Sequence, residues 1–190
     1  TSTLSTSASY AAFNGYRSSS WIQTIYTASE LSALGLVAGN INSIAYNINS
    51  QGSSTSNNIT IKIGTISASN FATTTFLSTN AFTTVYGPTA YTHSASGWQT
   101  INFATPYNWD GISNIVIDVW QDGPNSSSDP ATFYSTTSDN KVNYTWNVTP
   151  SGTATTGIST TSRFNVKFNG NVNTPQQITW SPTATLFTDA

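Results

Sequence analysis

The chain of 190 residues contains no cysteine and no methionine. The first absence excludes disulfides and thiolate metal sites. The second, which extends to position 1, leads us to expect a processed product or an excised fragment, with any secretory signal already removed. Charge is scarce too: Asp, Glu, Lys and Arg together make up 6%, against about 25% in ordinary domains. The cations Arg17, Lys62, Lys141, Arg163 and Lys167 are scattered. No basic patch exists to neutralise phosphates, which argues against a nucleic-acid partner. No apolar run approaches the roughly 20 residues of a membrane helix, so membrane insertion is not expected.

Catalytic apparatus is equally thin. His93 is the lone histidine, set in the Ser-rich stretch "YTHSASG", and no G-x-S-x-G elbow accompanies it. A solvated loop histidine is its simplest reading, and a hydrolase built around it is the remote one. Glycosidases need paired carboxylates. The single glutamate, Glu30, has another task, described below, so any pair would have to come from the aspartates. Zinc needs more His or Cys than are present. Phosphate-binding and dinucleotide fingerprints are missing. We therefore expect no enzyme and assign no catalytic residues.

What fills the sequence is Ser, Thr, Asn and Gly, with 13% aromatics. The net charge is -2 and the pI about 4.9. Aromatic and β-branched content favours sheet and argues against disorder, and the charge-poor hydroxyl and amide surface suggests an extracellular location. Triplets that could accept N-glycans occur at Asn58, Asn125, Asn143 and Asn147.

Only one segment reads as helix. In "TASELSALGLVAGN", Thr27 and Glu30 have capping-box spacing and Gly35 can supply a left-handed stop, which predicts a short helix near 28–34. Elsewhere the period is two. Ile44, Tyr46 and Ile48 share a face, as do Ile59, Ile61 and Ile63 with Lys62 opposite. Val142, Tyr144, Trp146 and Val148 alternate with Lys141, Asn143, Thr145 and Asn147, and Phe164, Val166 and Phe168 with Arg163, Asn165 and Lys167. Such alternation marks half-buried strands. Eight to ten of them, separated by turn clusters, predict an all-β fold: an antiparallel two-sheet sandwich of jelly-roll type spanning residues 1–170.

The stretch "TPYNWDGISNIVIDVW" (105–120) poses the main functional question. Asp110-Gly111 is a turn signal. Trp109 is expected to plug the end of the sandwich, with Ile115, Ile117 and Val119 on one face of the following strand and Val116, Asp118 and Trp120 on the other. Asp118 and Trp120, with Asn125 from the next loop, form a sugar-binding combination: an aromatic face for the ring and polar groups for its hydroxyls. Asp118, Asp122 and Asp129, with Asn125, also offer oxygens at loop spacing, which suits Ca²⁺, although no EF-hand pattern is present. The plainer alternative is an Asp118 that faces water or accepts hydrogen bonds from the loop. Core packing is the default for the tryptophans Trp21, Trp98, Trp109 and Trp146, with Trp120 and Trp180 the exceptions.

The end of the sequence reads as a linker, 171–177, and a lone apolar strand, 178–190, carrying Ile178, Trp180, Leu186 and Phe187. A segment of this kind suits donation to the sheet edge of a neighbouring subunit, and head-to-tail donation between copies gives an open filament.

The blocks "YTASELSALGLVAGNINSIAYNI", "ITIKIGTIS", "TTVYG", "SGWQTINFATPYNWDGISNIVIDV" and "TWSPTATLFTD" resemble segments of large secreted and cell-surface proteins of Bacteroidota. There a β-sandwich domain with a GW…F…PF.WDG.SNI.I pattern precedes immunoglobulin-like repeats. The similarity covers roughly residues 20–120 and the tail. It implies an exported, adhesin-type sandwich whose partners are copies of itself, flanking domains of the same chain, or glycans. The family carries no established catalytic residues to transfer. The sequence lacks the cysteines that some relatives carry near the end of the SNI.I strand and contains no sorting domain, which leads us to expect a fragment or a mature subunit. The leading expectation is thus a non-catalytic structural or adhesive subunit that assembles by strand exchange. The alternative is a carbohydrate-binding module, with Ca²⁺ as its candidate cofactor.

Overall fold

The computed structural model describes residue 13 and residues 17–50, 55–92, 96–122, 131–148 and 156–172. His93, Asn125, Asp129 and the segment 178–190, with Ile178, Trp180, Leu186 and Phe187, lie outside the described residues.

Among the described residues the chain forms an all-β antiparallel sandwich with one short helix. The elements are β1 (Ser19–Tyr26), α1 (Ala28–Ala33), β2 (Leu36–Ser50), β3 (Thr55–Ile66), β4 (Thr83–Thr92), β5 (Gly97–Trp109), β6 (Asn114–Asp122), β7 (Ala131–Thr132), β8 (Tyr134–Thr136), β9 (Val142–Trp146), β10 (Ile158–Thr160), β11 (Ser162–Phe164) and β12 (Val166–Val172). One sheet has the order β10-β9-β1-β6-β3-β4. The other has the order β12-β2-β5, with β7 also on β2, and β11 pairs β8 separately. The chain changes sheet between β1 and β2, β2 and β3, β4 and β5, and β5 and β6, which is jelly-roll-like connectivity.

The helix follows the capping chemistry expected of it. Glu30 N–H donates to Thr27 Oγ1 at 3.3 Å, and the Glu30 carboxylate accepts from Thr27 N–H at 2.9 Å. Gly35, at φ +92°, ends it. Glu30 also pairs with Arg163 through two short contacts, 2.8 and 3.0 Å, which ties α1 to β11.

The core is the inner face of both sheets. Tyr144, Ile22, Val119 and Ile61 stand in one cross-strand row, facing Ile44, Tyr46, Ile48 and Ile101 from β2 and β5. Trp109 is fully buried and its indole N–H donates to Ser113 O at 2.8 Å. Asp110 accepts from the Ile112 and Ser113 amides at 2.9 and 2.8 Å. The segment 110–113 of "PYNWDGISN" is therefore a capped turn between β5 and β6, and β6 is a central strand.

Three expectations need correction. The linker does not begin at 171, because Asn171 and Val172 belong to β12 and Val172 pairs with Leu36. Trp98 is 40% exposed rather than core, since it stands on the outward face of β5. Lys141 and Asn143 face outward from their sheet but are buried, at 6% and 0% exposure. The reason is a third layer: residues 67–82 cross the outer face of the six-stranded sheet as a strap. Burial also removes Asn143 as a glycan acceptor.

The strap is gripped by side chains, beside two backbone bonds at 2.8 Å, from Phe71 N–H to Asn140 O and from Gly157 N–H to Thr74 O, and a single bridge between Thr75 and Thr156, with no extended ladder. Asn143 donates to Thr73 O and Thr75 O at 3.1 and 3.2 Å. Gln23 grips Leu77 at both ends, accepting from its N–H at 2.8 Å and donating to its C=O at 2.9 Å. Phe71 joins Ile25 and Val116 in a second apolar cluster, and the Phe76 ring lies 4.4 Å from that of Trp21. At Gly64 a Cβ would come within 2.1 Å of the Phe82 ring, so only glycine permits that seat. Gln23→Ala removes three hydrogen bonds, one buried and two part-buried, and leaves two backbone groups of Leu77 unpartnered. It is expected to cost about 2–4 kcal/mol, read as a lower urea midpoint with an unchanged slope.

Candidate functional site

Period-two alternation puts Gln23 and Asp118 on the outer face, one residue away from the core row. The register then builds a polar row across the whole sheet: Ser159–Asn143–Gln23–Asp118–Lys62–Thr84. The next row out is Thr145–Trp21–Trp120–Thr60. Where these rows emerge from under the strap, a cavity of about 240 Å³ opens. Trp21, Trp120, Thr60, Lys62 and Asp118 line it, with Thr79 from the strap and Pro88 from β4.

Asp118 is 3% exposed. Its Oδ1 accepts from Trp21 Nε1 at 2.6 Å and Gln23 Nε2 at 2.9 Å. Burial pushes its pKa up to about 6, against the lowering effect of those two donors and of the Lys62 charge. Lys62 is the cross-strand partner of Asp118, yet the two do not close an ion pair. The Trp120 indole N–H is buried and has no partner among the described residues. Trp120 also walls a neighbouring polar cavity of about 380 Å³ with Ser18, Ser19, Asp122 and Asn147.

Of the residues proposed from sequence, the fold brings Asp118 and Trp120 together. It does not bring Asp118 and Asp122 together as metal ligands. Four residues along one strand is about 13 Å, whereas Ca²⁺ holds its oxygens at about 2.3–2.6 Å. Asp122 is engaged elsewhere, accepting from Asn58 Nδ2 at 2.8 Å. Sequence reasoning missed Trp21, Thr60, Thr79 and Pro88. Lys62 carried a signal, its place opposite the Ile59–Ile61–Ile63 face, but joining it to Asp118 requires knowing that β3 pairs β6. No family model, no curated protein and no solved structure matches the chain.

The buried carboxyl sets a pH dependence. Its folded pKa, about 6, lies above the ordinary aspartate value of 3.8, so folding favours the protonated form. The associated stability is fully present below the unfolded pKa and is lost as pH rises through about 6, a span of about 3 kcal/mol. Glu30 acts in the opposite sense. Burial alone would raise it, but Arg163 and Thr27 outweigh that and hold it at about 2, so its contribution fades as pH falls from about 4.5. The melting temperature should rise as pH drops from 7 to about 4.5, and Asp118→Asn should flatten that rise in calorimetric scans.

Proposed function

We propose that the protein is a non-catalytic, extracellular β-sandwich binding module of adhesin type that seats a neutral sugar residue in the Trp120 cavity. The observation that carries this reading is the unpaired placement of Lys62 and Asp118 around one small cavity walled by two indoles. An anion entering it meets the Asp118 carboxylate, and a cation meets Lys62. A hydroxyl satisfies both, because it donates to the carboxylate and accepts from the ammonium. Indole faces suit the apolar C–H face of a sugar ring. Hydrolysis is disfavoured by geometry: Asp122, the other carboxylate on β6, is about 13 Å along the strand, beyond the roughly 6.5–9.5 Å of an inverting pair. The resemblance to exported Bacteroidota sandwiches supports the extracellular setting.

Tryptophan emission should shift on titration with at least one neutral hexose or pentose. Trp120→Ala should weaken that binding at least tenfold while leaving the circular dichroism intact. Silence across a panel of neutral monosaccharides, or unchanged affinity in Trp120→Ala, would sink the proposal.

A second reading, assembly by strand donation, draws on the open edge of β5. This 13-residue strand pairs only with β2 among the described residues, and an open edge accepts an added strand. The donor would be 178–190. Light scattering should then find polymers of the whole chain and monomers of a chain ending at Val172, and equal sizes for both would remove this reading.

A further inference from the structure

The second sheet turns a different outer face to solvent. Lys167, Ala45 and Thr100 are cross-strand partners on β12, β2 and β5, and so are Asn169 and Ser43, with Asn102 beyond. The flanking side chains are exposed, whereas Ser43 and Ala45 are only 4% and 6% exposed despite pointing outward. Small residues on the central strand between taller ones on both sides make a trough with a polar floor. Trp98, paired in register with Asn47, stands at one end and lines a cavity on each side of itself, about 290 Å³ over the trough and about 330 Å³ beyond. From Ser43 to Asn47 the floor runs about 13 Å, long enough for an extended ligand.

We propose that this trough binds a linear acidic polysaccharide, with Trp98 as the ring platform and Lys167 as the carboxylate contact. The Lys167 ammonium lies over the Trp98 ring, 4.2 Å from its centroid, so a sugar that stacks on that face displaces the ammonium to the ring's edge, where it meets the sugar's ring substituents. Lys167 is the one charged side chain on the trough itself and has no acidic partner among the described residues. In the cavity beyond Trp98, Arg163 and Glu30 neutralise each other. A hexuronate supplies both halves of the match: C–H groups for the indole and a carboxylate for the ammonium. The remaining lining, Ser43, Thr100 and Asn169, offers hydroxyl and amide groups suited to sugar hydroxyls. A peptide fits less well, because β2 is hydrogen-bonded to β12 and β5 on its two sides and offers no free backbone for strand addition. One cation is too few for a nucleic acid. This site is separate from the Trp120 cavity and stands or falls independently of it.

The test is calorimetric titration of the whole chain with hexameric oligomers of polygalacturonate, alginate and hyaluronate at low salt, and with carboxyl-reduced versions of each. At least one acidic oligomer should bind, at least tenfold more tightly than its reduced form and more weakly as salt is raised. Trp98→Ala and Lys167→Gln should each weaken it at least tenfold. Trp120→Ala should leave it unchanged. Trp98 and Lys167 are exposed, so these variants are expected to fold, which circular dichroism would verify. Absence of binding by all three acidic oligomers, equal binding of the reduced forms, or full affinity in Lys167→Gln would overturn the proposal.

Discussion

The carboxylate of Asp118, buried on a central strand, is the constraint around which one side of the molecule is arranged. A buried charge without partners costs far more than the fold's net stability allows. Trp21 and Gln23 answer it from the neighbouring strand. Gln23 uses its remaining capacity on Leu77, so the strap is held by the same residue that solvates the charge. The strap in turn buries Asn143 and closes one wall of the Trp120 cavity with Thr79. Removing any of these groups leaves another buried and unpaired, which makes the layer cooperative.

The two sheets treat their outer faces differently, and composition explains how. On the six-stranded sheet the outward positions Gln23 and Asn143 each bond two backbone groups of the strap, and Asp118 holds Gln23 in place for it. On the four-stranded sheet the outward positions of β2 are Ser43 and Ala45, too small to anchor a covering layer. The strap covers the middle of the first face, with the Trp120 cavity at its margin, and the second stays an open trough.

Much of the fold was legible. The capping box of α1, the alternating isoleucines of β2 and β3, the turn at Asp110 and the two-faced character of β6 all rest on local rules, and each appears where those rules put it. The site was half legible. Asp118 and Trp120 share a face of one strand, which period two reveals. Trp21 and Lys62 join them through pairings across 97 and 56 residues, and no local signal encodes those. The strap was invisible for a related reason. Its stretch lacks periodicity, and the outward polar residues that receive it look from sequence like an ordinary solvated face. Trp98 was misjudged by the same default: alternation says which face a residue takes, not whether something covers it.

The polar row across the six-stranded sheet also bears on how the chain finds its alignment. Side chains in a sheet repeat every two residues, so a slip of one position exchanges the faces of a strand. Here such a slip in β6 would carry Asp118 into the isoleucine layer and lift Ile117 or Val119 beneath the strap. A strand misplaced by one is penalised twice, by a charge in hydrocarbon and by a strap with nothing to grip. Because the residues that grip the strap, Gln23 and Asn143, come from β1 and β9, with Val116 of β6 packed under Phe71, the strap closes over a sheet that is already aligned. Its closure is in effect a proofreading step.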